Sequence, residues 1–333
     1  MGYQLSKADA NALFADLSEQ YDIWAPVLKT GEGCFSDTDI VRYDKVKSVD
    51  EIVWDKKSDY SFKETLLHIN ETLFYFTEDE TTVPKGPEKE LLIFMRACDF
   101  HALKRLDQIY LDNKFEDFYY KRIREKAKFA LIGCSESCKS GFCVSMGTNQ
   151  TDEYAIYVAV NGDTVSIDVK DESFKNTITY GRYTTEVEVT PAFVTENYEK
   201  VTLPKKLSNE SFTNEIWKEY GERCITCGRC NFACPTCTCF TMQDIFYHDN
   251  PKVGERRRVW ASCQIEDYDQ IAGGIKFRKT KADNMRFKVM HKIYDYEKRF
   301  GYPMCVGCGR CDDICPEYIS YSALVNRLAK EEQ

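Results

Sequence analysis

The sequence predicts an α+β protein in two parts. An N-terminal mixed α/β domain is expected over residues 1–205, and a mainly helical, dicluster ferredoxin-like domain over 206–333. Three observations carry this. Leu91-Leu92-Ile93-Phe94-Met95 and Phe129-Ala130-Leu131-Ile132-Gly133 are continuous apolar runs of the length of buried strands. Residues 154–169 alternate in polarity around Asn161-Gly162-Asp163, the signal of a β-hairpin. Beyond Pro204-Lys205-Lys206 the cysteines fall into two runs of identical spacing, 81 positions apart (305 − 224).

Those runs are Cys224-x2-Cys227-x2-Cys230-x3-Cys234-Pro235 and Cys305-x2-Cys308-x2-Cys311-x3-Cys315-Pro316. In the bacterial ferredoxin pattern of this spacing, three thiolates hold one cubane and the fourth reaches the other. The expected ligand sets therefore cross. Cys224, Cys227, Cys230 and Cys315 hold one [4Fe–4S] cluster; Cys305, Cys308, Cys311 and Cys234 hold the second. Gly228 and Gly309 stand where a tight loop must pass close to a bulky core, and glycine's freedom at positive φ is useful there. Zinc also binds paired C-x2-C motifs, but it needs only four ligands. It has no use for a third cysteine two residues on, nor for the Cys-Pro ending.

Length leaves room for two domains. A net charge of −9 argues against a nucleic-acid partner, which would need a basic face. Sixteen cysteines grouped in ligand spacings, behind an N-terminus unlike a secretory signal, indicate a reducing cytoplasm rather than a disulfide scaffold. No window approaches the ~18 to 20 apolar residues of a membrane span. Met1-Gly2 with Ser6 satisfies the bare myristoylation pattern, a weak match. No G-x-G-x-x-G and no G-x4-G-K-[ST] run is present, and no acid–base constellation is marked, so no catalytic residue is assigned.

Taken in order, residues 4–20 place Leu5, Ala8, Leu13, Phe14 and Leu17 near helical spacing, with Ser6 as N-cap. Strands are expected at 22–29 and 39–44, and 62–76 is of mixed period. The run at 91–95 passes through Arg96-Ala97-Cys98-Asp99 into a helix over 103–110. A further strand is expected over 182–189, a short helix from Pro191, and a helix over 211–222 carrying Trp217 and Tyr220. Residues 283–300 alternate apolar and basic groups at helical spacing. Arg256-Arg257-Arg258 reads as a solvated face, with a docking patch as the alternative. Trp24, Trp54, Trp217 and Trp260 are core residues by default. His68, His101, His248 and His291 lack metal spacing, and only His101 lies near a candidate site.

Eight cysteines remain. Cys34 reads as a free thiol. Cys98, Cys134, Cys138 and Cys143 follow or lie just beyond expected strands, and they make a third [4Fe–4S] site if the two apolar strands lie side by side. Cys237, Cys239 and Cys263 lie close in sequence to the first run but are one ligand short. They read as packing or as donors to a cluster's sulfur, with ligation the alternative.

Arg96-Ala97-Cys98-Asp99, Gly133-Cys134, Gly141-Phe142-Cys143, Cys234-Pro235-Thr236-Cys237-Thr238-Cys239, Trp260-Ala261-Ser262-Cys263 and the two ferredoxin runs together resemble one family. It is a family of iron–sulfur subunits that includes the electron-transfer subunit of anaerobic sulfite reductase and the β subunit of cytosolic [NiFe] sulfhydrogenases. The resemblance covers most of 90–320 and favours the sulfite reductase member. It implies an electron relay fed by a flavin subunit that oxidises NAD(P)H. The relay would deliver to a sirohaem–iron–sulfur subunit that reduces sulfite. The alternatives are a hydrogenase β subunit, a stand-alone ferredoxin-like carrier, or a reductase holding flavin in 1–205.

Overall fold

The computed structural model describes residues 2–33, 37–205, 207 and 210–331. Cys34 and Lys206 of the expected linker lie outside the described residues. The strands in chain order are β1 (Gly2–Ser6), β2 (Tyr21–Lys29), β3 (Ile40–Lys45), β4 (Asn70–Phe76), β5 (Thr81–Thr82) and β6 (Glu90–Met95). They continue as β7 (Ala127–Ile132), β8 (Ile156–Asn161), β9 (Thr164–Val169), β10 (Thr185–Val187), β11 (Phe240–Phe246) and β12 (Gly254–Trp260).

The first compact unit comprises Met1–Leu66, Gly86–Cys138 and Gly147–Glu196. Its eight strands form one mixed sheet in the order β10-β1-β9-β8-β7-β6-β2-β3. The centre, β8-β7-β6-β2, is parallel, which explains the continuous apolar runs: such strands are buried on both faces. β6 and β7 lie side by side, as the third-site reading requires, from Leu91 opposite Ala127 to Met95 opposite Leu131. Leu92, Phe94, Ala130 and Ile132 share a core with Ala10, Leu13, Phe14 and Leu17 of the helix Lys7–Gln20. That helix starts later than the periodicity suggests, because residues 2–6 are an edge-side strand. Ser6 is its N-cap, accepting from the Asp9 amide at 3.1 Å. No helix follows Pro191.

The second unit comprises Leu67–Lys85, Lys139–Met146 and Asn197–Gln333. It recruits two segments from the N-terminal half, so the units do not divide at one point in the chain. The reasons are non-local. β4 pairs with β12, Gly254 opposite Phe76 and Val259 opposite Asn70, and the Phe142 amide donates to the Gly307 carbonyl at 2.7 Å. The region after 206 is also less helical than expected, because β11 and β12 form an antiparallel pair within the sheet β11-β12-β4-β5. The arginine triplet lies on β12 and is not a uniformly solvated face. Arg256 pairs with Asp244 at 2.7 Å and Arg257 with Glu255, while Arg258 is buried against Glu71 at 2.7 Å. The helical core gathers Phe142, Trp217, Tyr220, Met285, Val289, Tyr321, Leu324 and Leu328. Of the tryptophans, Trp217 is buried, whereas Trp24, Trp54 and Trp260 are half-buried.

Candidate iron–sulfur centres

The two cysteine runs repeat each other in backbone geometry. Helix Ile216–Arg223 ends at Cys224, and the chain then passes through Thr226 (φ 60°) and Gly228 (φ 75°) into helix Arg229–Ala233. In the second run Gly307 (φ 65°) and Gly309 (φ 73°) precede helix Arg310–Asp313. In each, the left-handed residue turns its amide back onto the first sulfur. Thr226 N lies 3.4 Å from Cys224 Sγ, and Gly307 N lies 3.5 Å from Cys305 Sγ. Such N–H donors favour a thiolate over a neutral thiol.

Each crossed foursome lines a common cavity. Cys224, Cys227, Cys230 and Cys315 share one, which Gln264, Lys288 and Cys311 also line. Cys234, Cys305, Cys308 and Cys311 share another, lined in addition by Cys230, Lys288 and Lys292. Burial drives these sulfurs toward the neutral form: even with Lys292 and the Gly307 amide beside it the Cys305 thiol is pushed up to about 12, and Cys224 is raised as well. The opposing force comes from two lysines, 7% and 4% exposed, at positions 288 and 292. Burial works against their charge. Cys230 and Cys311 beside Lys288, and Cys234, Cys237 and Cys305 beside Lys292, more than offset it and hold both pKa values above the ordinary lysine range. A buried ammonium with no anion would be very costly, so these cations demand negative charge on the sulfurs. Metal ligation supplies it, since only a thiolate binds iron. The donor set therefore fits two cubanes. Among the described residues no three His, Cys, Asp or Glu side chains close on a single-ion site. Cubane corners stand further apart than the ligands of one ion.

In the first unit, Cys134 follows β7, and Cys98 lies in the first turn of helix Ala97–Tyr110. Between them sits buried Arg96, which in the sequence is no more than one letter of a motif. Its Nη1 donates to the Gly133 carbonyl (2.9 Å) and to Cys134 Sγ (3.3 Å). Its Nη2 donates to the carbonyls of Trp54 and Lys56, both at 2.8 Å. Burial opposes the guanidinium charge, but Cys134, Cys138 and Cys98 outweigh it and raise the pKa. The buried Nε has no hydrogen-bond partner among the described residues. Cys134 bonds this cation and Cys138 and Cys98 favour its charge, so an anionic cluster fits the three thiols. Cys143 belongs to the second unit, where Asn197 Nδ2 lies 3.6 Å from its sulfur. His101 bonds the Gln150 carbonyl at 2.8 Å.

A third thiol-lined cavity, about 210 Å³, is formed by Cys237, Cys239, Cys263, Tyr268, His291 and Lys292 among others. Its sulfurs pair off. The Cys237 thiol donates toward Cys234, which raises its pKa. The Cys263 thiol hydrogen-bonds Cys239 and lowers it to about 6. Cys263 also accepts from buried Asn231 Nδ2 at 3.0 Å. Lys288 and Lys292 are site residues that sequence reasoning misses, although their i, i+4 spacing is visible; basic groups on a helix ordinarily face water.

A fold with paired cysteine loops and buried cations defines an iron–sulfur protein. The domain family described as a 4Fe-4S dicluster domain matches residues 223–319. The chain is 31% identical over 304 residues to the sulfhydrogenase 2 subunit beta of Pyrococcus furiosus, across 86% of its own length and 88% of the relative's. It belongs to that family. It is also 26% identical over 125 residues to the F420-dependent formate dehydrogenase subunit beta of Methanocaldococcus jannaschii, across 37% of this chain and 24% of that protein. No solved structure matches the chain. The protein is an iron–sulfur electron-transfer subunit carrying [4Fe–4S] clusters, and its relatives are subunits of oxidoreductase complexes. The resemblance read from the sequence favours the sulfite reductase member, but the relative that matches over most of the chain is a sulfhydrogenase subunit. Among the described residues no helix is long and apolar enough to cross a membrane.

Proposed function

We propose that this chain is the electron relay of a cytoplasmic, hydrogenase-type complex. It would connect a flavin subunit that exchanges electrons with NAD(P)H to a separate catalytic subunit. The observation that carries this is the pair of adjoining cavities, each lined by a crossed foursome and both lined by Lys288. Cys224, Cys227, Cys230 and Cys315 would hold one cluster, and Cys305, Cys308, Cys311 and Cys234 the other. Cys98, Cys134 and Cys138 would take part in holding a third, supported by the cationic environment of Arg96. When bound, the clusters supply one-electron transfer between partners. The protein's own residues position them: buried lysines neutralise the thiolates, amides donate to sulfur, and glycines let the loops close.

The competing partner is the sirohaem subunit of a sulfite reductase, since the cysteine motifs belong to both kinds of complex. The sulfhydrogenase relative favours the hydrogenase. Anaerobic purification of the tagged chain from its own cells separates the readings. Nickel co-purifying in stoichiometric amount supports the proposal. Sirohaem in its place gives the chain to sulfite reduction, and a partner-free chain makes it a stand-alone carrier. The isolated, flavin-free chain, reduced by dithionite, should pass electrons on yet leave NADH unoxidised. NADH turnover by that chain alone would overturn the relay reading.

A further inference from the structure

The two crossed foursomes are not electrostatically equivalent, and one side chain makes most of the difference. Lys292 Nζ lies 3.3 Å from Cys234 Sγ and 2.9 Å from Thr236 Oγ1. Thr236 Oγ1 is itself 3.4 Å from the same sulfur. Cys234 thus has a full positive charge and a neutral hydroxyl beside its sulfur. Each of Cys224 and Cys315 receives a single backbone amide, from Thr226 and from Ile319, both at 3.4 Å.

The position of Lys292 is built into the backbone. Helix Lys281–Met290 widens into a π-turn over His291–Asp295, a local irregularity that often occurs at functional sites. The carbonyl of Lys292 accepts from the Met304 amide at 2.8 Å and the Cys305 amide at 3.4 Å. Backbone and side chain of one residue therefore tie the second run to the last cysteine of the first.

The other charges largely cancel from the comparison. Lys288 acts on both foursomes, hydrogen-bonding Cys230 of the first and lying beside Cys311 of the second, and it lines both cavities. Asp312 touches Cys311 Sγ at 3.3 Å and also lines the first cavity, so it acts on both. Lys292 lines the second cavity and not the first, and the exposed Glu317 lines only the first. A cation beside a centre that gains an electron stabilises the reduced form.

We infer that Lys292 is a positioning residue that sets the cluster of Cys234, Cys305, Cys308 and Cys311 at the higher potential, making it the acceptor of the pair. This rests on the crossed ligation proposed above. The test is a potentiometric EPR titration of the anaerobically prepared full chain and its Lys292→Met, Lys292→Gln and Lys292→Arg variants, with iron counted in each. In the Met and Gln variants one midpoint should fall by at least 59 mV, a tenfold shift in one-electron occupancy. The other midpoint should stay in place, and Arg should restore the first. Thr236→Val, which frees the ammonium from its second anchor, should move the same midpoint in the same direction by less, and it provides the reading should the Lys292 variants lose iron. Unchanged midpoints with iron retained would overturn the inference. Cys224→Ala tells the two failures apart: if it removes the cluster whose midpoint Lys292 controls, Cys234 belongs with its own run and the ligand assignment is wrong rather than the lysine's role.

Discussion

Set side by side, the stretches 224–235 and 305–316 use one backbone and two kinds of surroundings. Thr226 matches Gly307, Gly228 matches Gly309, and Asn231 matches Asp312, each pair 81 positions apart. Gly307 and Gly309 press against the backbone of the 140–143 loop: a Cβ on Gly307 would stand 2.6 Å from the Phe142 carbonyl oxygen, and one on Gly309 would overlap the Ser140 carbonyl. Around the first run the neighbours are side chains, with Ser262 Cβ at 2.9 Å and Ile265 Cδ1 at 3.1 Å from a Cβ on Gly228. Cys227 is exposed, whereas its counterpart Cys308 is buried. Asn231 donates to Cys263, while Asp312 accepts from Ser320 Oγ (3.0 Å) and the Tyr321 amide (2.8 Å) at the start of helix Tyr321–Glu331. The spacing of a motif thus fixes the loop. Its neighbours decide how deeply the loop is buried and what charge surrounds it.

The largest effect separating the runs should come from Gly309→Ala. A positive φ and a collision with backbone together cost about 3–4 kcal/mol. Denaturant unfolding of the iron-loaded chain should show that loss, together with reduced iron in the purified protein. Gly228→Ala should cost less, about 2 kcal/mol, because its closest neighbour, Ser262 Cβ at 2.9 Å, needs a smaller shift than the Ser140 carbonyl does at Gly309. Equal losses at the two glycines would erase the distinction between backbone-packed and side-chain-packed runs. Asp312→Ala removes the carboxylate that holds the start of the last helix and should cost ~1–2 kcal/mol; Asp312→Asn, which keeps an acceptor, should recover about half. The smallest effect should be at Thr226, a β-branched residue at φ 60°. There Thr226→Gly should stabilise the chain by up to ~1 kcal/mol, whereas the same loop position in the second run already needs glycine.

Much of this is legible in the sequence because periodicity and spacing are local. The apolar runs at 91–95 and 129–133 become parallel central strands, Asn161-Gly162-Asp163 turns the hairpin, and Ser6 caps its helix. The cysteine spacing specifies both loops. What escapes is set by distant partners. β12 reads as a charged, solvated stretch until Glu71 supplies the buried partner of Arg258 and β4 supplies the neighbouring strand. Lys288 and Lys292 have the pattern of a wet basic face, and only the thiols packed around them make burial tolerable. By position in the chain the 139–146 loop belongs with the N-terminal domain, yet it closes over the second cysteine run through the Phe142–Gly307 hydrogen bond and a bond between Ser140 and Asp313.

The crossing of the ligands is the claim on which the comparison of the two runs depends, and Cys315→Ala tests it most directly. EPR of the anaerobically reduced variant, set beside Cys305→Ala and Cys224→Ala, reports which cluster each thiol holds. Cys315→Ala should remove the signal that Cys224→Ala removes, and leave the one that depends on Cys305. If Cys315→Ala instead removes the signal lost with Cys305→Ala, each run holds its own cluster and the crossed assignment is wrong.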